Sequence, residues 1–280
     1  MRIEQLGDGE PEIAVVGGIH GDEPCGVRAV EHLLDARPDV DRPVKCIVAN
    51  EEALARETRY VDDDLNRVFP GDPDSDSHER RLASRLLQEL RGCTTLSMHS
   101  TQSYPGPFAV VADDELALTQ SVCPYLTLDA VIDAGAFTEG RLVGYADVIE
   151  VECGYQGTED AATNAIALTE AFLAAVGALP GGETRADGVP LYRLQHLIPK
   201  GQASGYEVFV TNFERVAAGE TYAAAGDERL VAEKPFYPVL MSPYGYEDEF
   251  GYAAELAGKL GGDPVKDAGE ERRGQSRYSG

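Results

Sequence analysis

Along the first 176 positions, short apolar runs alternate with longer stretches whose apolar residues recur at helical spacing. The runs at 13–16 (Ile13-Ala14-Val15-Val16), 44–49, 94–98, 108–111 and 148–151 have the length and character of buried strands. The stretches 26–36, 77–90, 116–122 and 160–176 have the 3.6-residue period of helices. The second of these starts near Asp76, with Glu79 three residues on, a pair resembling a capping box. Such alternation predicts an α/β domain built on a mixed, largely parallel sheet with flanking helices, its ligands gathered at the carboxyl ends of the strands.

A segment rich in Gly, Pro and charge, 177–188, interrupts the pattern. Beyond it, residues 191–198, 206–210, 221–224, 230–232 and 239–241 read as short strands separated by turn residues. The expected organisation is therefore an α/β domain over residues 1–180 and a small β-rich C-terminal domain over 188–257. Residues 261–280 are Gly- and charge-rich without periodicity and are expected to be disordered.

Composition narrows the class. A chain of 280 residues, 43% of them hydrophobic, can bury a large core in one or two domains. It has no apolar run of the roughly 18 residues that a membrane span needs. Met1 to Gln5 lead into acidic residues and not into an apolar signal region, so a cytoplasmic location is expected. The five cysteines are scattered and never spaced C-x-x-C, which argues against a disulfide framework or a structural zinc knot. The formal net charge of −25, with five lysines among 24 basic residues, disfavours nucleic acid as a partner. The acidic residues are spread along the chain and form no tail. A carboxylate-rich, lysine-poor surface resembles proteins of salt-accumulating halophilic archaea, where molar salt screens repulsion over about 3 Å.

The candidate chemistry starts at Gly17-Gly18-Ile19-His20-Gly21-Asp22-Glu23. Two glycines let the backbone leave the first strand sharply, placing His20 and Glu23 in the loop at its carboxyl end. An imidazole and a carboxylate three residues apart can reach one metal ion, and catalytic zinc commonly takes two His and one Glu. Among the five histidines, His99 is the candidate for the third ligand, because it follows the strand at 94–98 and precedes Ser100-Thr101-Gln102-Ser103. His32 falls in a helical pattern, His78 at a helix start and His196 in a C-terminal strand pattern. Arg59, Asn66 and Arg67, with Asp neighbours to orient them, suit a substrate carboxylate and a polarised carbonyl. Locally paired surface charges are the plainer reading of that segment.

Taken together, Gly-Gly-Ile-His-Gly-Asp-Glu, Arg-Tyr-x-Asp-x-Asp-Leu-Asn-Arg at 59–67, His99, and Val151-Glu152-Cys153-Gly154 resemble the succinylglutamate desuccinylase/aspartoacylase family. That family is a branch of the zinc carboxypeptidase-like hydrolases. The resemblance spans the α/β domain and extends weakly beyond it. It implies one zinc ion held by His20, Glu23 and His99, with Glu152 as general base and Arg59 polarising the scissile carbonyl. It further implies that Asn66 and Arg67 grip a substrate carboxylate, that Tyr246 or Tyr244 enters the pocket, and that Arg141 meets a side-chain carboxylate.

Glu150 is a rival for the base, and two departures from the family pattern bear on the substrate. Glu150 also ends the last strand of the α/β pattern and shares a face with Glu152; the glycine two residues on favours Glu152 as base. Ser97-Met98-His99-Ser100 stands where the family commonly has Asp-x-His and resembles the Ser-x-His-Ser of zinc carboxypeptidases. Pro243 stands where aspartoacylases carry a glutamate. The activity implied is hydrolysis of an amide or ester bond in a small anionic substrate such as an N-acyl amino acid. A peptide carboxypeptidase and a non-catalytic metal-binding protein are the alternatives.

Overall fold

The computed structural model describes residues 1–112, 117–181 and 188–261. The predicted tail beyond Gly261, most of the predicted break and the first residue of the predicted helix at 116 lie outside them. Strands and helices are numbered in chain order. One sheet holds β1 (Arg2–Leu6), β2 (Ile13–Gly17), β3 (Val44–Val48), β4 (Thr94–Thr101), β5 (Phe108–Val111), β6 (Ala130–Asp133), β7 (Val148–Tyr155), β8 (Val189–Pro199), β12 (Tyr237–Val239) and β13 (Glu249–Leu260). Their spatial order is β1-β3-β2-β4-β7-β5-β6-β8-β13-β12. Pairings are parallel from β3 through β2 and β4 to β7, and again from β5 through β6 to β8. The β7–β5 pair and both outer flanks are antiparallel.

The continuous apolar run of β2 reflects burial on two faces. Ile13 and Val15 face α1 (Cys25–Ala36) and α5 (Glu159–Ala175), through Ala29, Val30, Leu33, Ala165, Leu168 and Phe172. Ala14 and Val16 face Leu82, Ala83 and Leu86 of α3 (His78–Leu90). The predicted core elements are thus present. Four were not predicted: β1, α2 (Glu51–Arg56), β6 and the long β13. In β13, Ala and Gly outnumber β-branched residues, and Gly251 (φ +147°) and Gly258 (φ +156°) lie at breaks in its register with β8.

Two expectations are corrected. Helix α3 is capped by Ser77, whose Oγ accepts from Arg80 N, and the fully buried Glu79 turns away from the cap. Strands β4 and β7 do not end before His99 and Glu152 but run through them to Thr101 and Tyr155. Beyond residue 188, β8 pairs in parallel with β6, and β13 and β12 extend the same sheet antiparallel, with β13 reaching Leu260. Only β9 (Tyr206–Val208), β10 (Thr221–Ala225) and β11 (Glu228–Val231) form a separate three-stranded sheet. It packs on the main one through Ile198, Ala223, Met241 and Phe250. No helix among the described residues is long and apolar enough to cross a membrane.

Candidate active site

The loop after β2 carries the first two predicted ligands. It lies so close to α2 that a Cβ on Gly21 would stand 2.1 Å from the Ala53 backbone, so only glycine fits there. Beside it, β4 and β7 pair in parallel register with His99 opposite Glu152. Gly154, two residues past Glu152, has φ +131° and lies against the Pro105 carbonyl, where a Cβ would come within 2.7 Å. The Glu-x-Gly sequence therefore answers a backbone requirement.

His20, Glu23 and His99 are all buried, with ligand atoms within 4.8 Å of one another. His20 Nδ1 lies 2.8 Å from Glu23 Oε1, and His99 Nδ1 lies 3.1 Å from Glu23 Oε2. The other ring nitrogens have partners of their own: His20 Nε2 donates to Asp64 Oδ1 at 3.0 Å, and His99 Nε2 faces Ser97 Oγ at 3.3 Å. With hydrogen on Nε2, both Nδ1 lone pairs and the carboxylate oxygens are acceptors facing one another. Such a set is stable only around a cation, either a shared proton or a metal ion. Two imidazoles and a carboxylate with outer partners fixing the tautomers fit zinc well. Burial opposes charge on His99, but the bond and charge of Glu23 outweigh it and hold the imidazole at about 9. His20 is raised by the same carboxylate, after burial, and Glu23 is held well below the carboxylate range by the two imidazoles.

Arg59 braces this cluster. Its Nη1 donates to Glu23 Oε1 and its Nε to Asp64 Oδ2, both at 2.9 Å. Two of its five N–H donors are thus committed and the rest are left for a ligand. The segment that follows is held by Glu79, which accepts from the backbone N–H of Val61, Asp62 and Asp63 and from Asn50 Nδ2. These bonds keep the Glu79 carboxyl low despite burial.

One cleft brings together every predicted site residue: His20, Glu23, Arg59, Asn66, Arg67, His99, Arg141, Glu152 and Tyr246. Burial first, then the charge of Glu23, pushes the Glu152 carboxyl up to about 7, against the pull of the His99 charge. Its Oε2 is buried without a hydrogen-bond partner. Asn66 commits Oδ1 to Leu142 N and gives Nδ2 to Glu150, so only its amide hydrogens can meet a ligand. Arg67 Nη1 donates to the Asn66 carbonyl, and Arg141 Nη2 to the Tyr252 hydroxyl at 2.6 Å. The Tyr246 phenol is pushed up by burial and by Glu152. Tyr244 is 64% exposed, with its hydroxyl accepting from Tyr206 N, and it lies outside the cleft lining.

The fold and this cleft can be set beside known proteins. Residues 9–121 match the family model described as the Succinylglutamate desuccinylase/Aspartoacylase catalytic domain. The N-acyl-aromatic-L-amino acid amidohydrolase (carboxylate-forming) of Mus musculus is 30% identical over 138 residues, 43% of each chain. The aspartoacylase of Rattus norvegicus is 39% identical over 83 residues, 29% of this chain and 25% of its own. The chain thus spans less than half the length of these curated relatives. The succinylglutamate desuccinylase/aspartoacylase structure from Rhodobacter sphaeroides shares the fold, with a TM-score of 0.73 at 21% identity, covering 91% of this chain and 88% of that one. The family model and these relatives match the N-terminal part of the chain, and the solved structure shares its fold. The matched residues hold His20, Glu23, Arg59, Asn66, Arg67 and His99, whereas Arg141, Glu152 and Tyr246 lie beyond them.

Sequence reasoning passed over several residues. Asp64, which joins His20 to Arg59, stands in the quoted Asp-x-Asp of residues 59–67 but was given no role of its own. Gln156 donates to the Asp22 carbonyl and accepts from Gln102, tying the loop after β7 to the ligand-bearing loop. Both glutamines line the cleft, and no motif announced them.

Proposed function

We propose that this chain is a zinc-dependent hydrolase cleaving an amide, or ester, bond of a small carboxylate-bearing substrate of the N-acyl amino acid type. One zinc ion per chain would be held by His20, Glu23 and His99. The observation that carries the reading is the position of Glu152, opposite His99 in register, with a raised carboxyl and one oxygen unpartnered. Zinc in this site would supply Lewis acidity and lower the pKa of a bound water to about 7. Glu152 accepts the proton of the attacking water and returns it to the leaving amine. Arg59, braced by Glu23 and Asp64, offers its remaining N–H groups to the scissile carbonyl oxygen. Arg67 and Arg141 receive the substrate carboxylate, Asn66 offers its amide hydrogens, and the Tyr246 phenol closes the same cleft.

The acyl-amino-acid activities named for the relatives support this substrate class. The charge of −25 supports a working environment of molar salt, as in a halophilic archaeal cytoplasm. The test is amine release from N-acyl amino acids, esters and short peptides by zinc-loaded protein in molar KCl. Turnover of an N-acyl amino acid that is abolished by chelation is the expected result. The Ser97–His99 contact favours a second reading, a carboxypeptidase, which cleavage of peptides alone would select. Tight zinc binding with no hydrolysis of any member would replace both with a binding protein.

A further inference from the structure

Tyr246 enters the cleft from the loop 240–248, which joins β12 to β13. The ends of that loop are tied by backbone bonds: Ser242 N donates to the Phe250 carbonyl at 2.8 Å, and Lys200 N to the Asp248 carbonyl at 2.7 Å. Between them, Ser242 Oγ accepts from Tyr244 N and Gly245 N, a turn internal to the loop. Among the described residues, two hydrogen bonds reach the stretch 243–247 from elsewhere in the chain. Tyr206 N, on β9, donates to the Tyr244 hydroxyl, and the Lys200 ammonium donates to the Tyr246 carbonyl.

The second of these bonds lands on the residue whose side chain lines the cleft. Its donor is itself held: Lys200 follows β8, and its Nζ lies 5.0 Å from the centre of the Tyr206 ring and 5.7 Å from that of Phe250, within cation–π reach of both. The fully buried Phe250 meets Tyr206 edge-on at 5.7 Å, so the ammonium stands where β13 and the three-stranded sheet touch. In a chain with 49 acidic residues a surface lysine has many carboxylates to pair with. This one gives its hydrogen bond to a neutral carbonyl, and Asp248 and Glu249 act on it only through their charge. We infer that Lys200 is a positioning residue: by holding the Tyr246 carbonyl it sets where the Tyr246 phenol stands in the cleft, and through Tyr206 it makes the three-stranded sheet a buttress of substrate binding. The inference rests on the hydrolase reading above for what the phenol does there, and on these bonds for how it is held.

The chain has no tryptophan, so Tyr246→Trp gives a single emitter at the position in question. Acrylamide quenching of that emitter is compared in Tyr246→Trp alone, with Lys200→Met added, which keeps the stem and loses the donor, and with Lys200→Arg added, which keeps a cationic donor. Quenching is expected to rise about twofold or more with Lys200→Met, since a hydrogen bond from a charged group is lost, and to stay near its starting value with Lys200→Arg. A kinetic arm follows zinc-loaded protein on an N-acyl amino acid. With Tyr246 in place, Lys200→Met is expected to lower kcat/KM about tenfold and Lys200→Arg to restore it; in Tyr246→Phe, the same Lys200→Met change should cost less than about twofold. Equal losses in both backgrounds, a loss that Lys200→Arg does not restore, or quenching that Lys200→Met leaves unchanged would mean that Lys200 serves the fold alone, and overturns the inference. A protein that hydrolyses nothing fails the hydrolase reading, and the quenching contrast then decides the inference by itself.

Discussion

Asp64 holds His20 in place: its Oδ1 accepts from the imidazole Nε2 at 3.0 Å, while the opposite ring nitrogen faces Glu23. The same carboxylate binds Arg59 through Oδ2, and burial notwithstanding, these partners keep it far below the ordinary aspartate range. The tautomer of His20 is therefore set by a residue outside the ligand set.

Asp64→Asn should accordingly weaken zinc affinity by about 10- to 100-fold, because the amide can present its N–H to Nε2 and favour the wrong tautomer. Competition against a chromophoric chelator measures this. Unchanged affinity would mean that His20 is oriented by packing alone.

Glu152→Gln keeps the volume of the base and removes its proton chemistry. Turnover should fall by about 100- to 10,000-fold with zinc content retained, as measured by metal analysis alongside amine release. Activity within a few-fold of wild type would move the base elsewhere, with Glu150 the first candidate.

The pH profile carries a sign. Glu152 acts as a base only when ionised, and its carboxyl stands at about 7, raised first by burial. A divalent cation beside it would favour ionisation. The profile of kcat/KM should therefore rise with pH along an acid limb whose midpoint is at or below about 7. A profile that falls across pH 5 to 7, about the range of this limb, contradicts a carboxylate base.

Metal-free protein should lose thermal stability as pH rises from 6.5 toward about 9. His99 moves upward from 6.5 on folding, so its contribution is complete below 6.5 and disappears as the folded-state group titrates near 9. Glu152, also raised on folding, loses its contribution in the same direction between 4.5 and about 7. The proposed zinc would take the place of the shared proton, so its stabilisation should grow over the same window. Melting curves with chelator and with zinc at several pH values test both halves.

Much of the site was legible because its parts sit where glycine and strand ends punctuate the chain. His20 and Glu23 follow a Gly-Gly turn, and Glu152 precedes a glycine that the backbone demands. Other parts were hidden by the site itself. Ser97, His99, Ser100 and Thr101 are buried polar residues inside β4, so the strand looked shorter in sequence than it is. Period two could not separate Glu150 from Glu152, and the structure keeps both in the cleft. Strand β13 was invisible because alanine and glycine carry little strand preference, and its place comes from pairing with β8. Tyr244 and Tyr246 differ only in which way the chain turns between β12 and β13, which no local pattern encodes.

The order of the strands also limits how this chain can be divided. In space β7 lies between β4 and β5, yet in the chain it follows both. A fragment ending at residue 121, where the family match stops, would contain His20, Glu23 and His99 but leave β4 and β5 each with a bare apolar edge and no strand between them. Such edges recruit neighbouring molecules into sheets. His20, Glu23 and His99 therefore cannot be expressed apart from Glu152 without exposing those edges: a fragment that carries the three and keeps its sheet paired has to extend at least through β7.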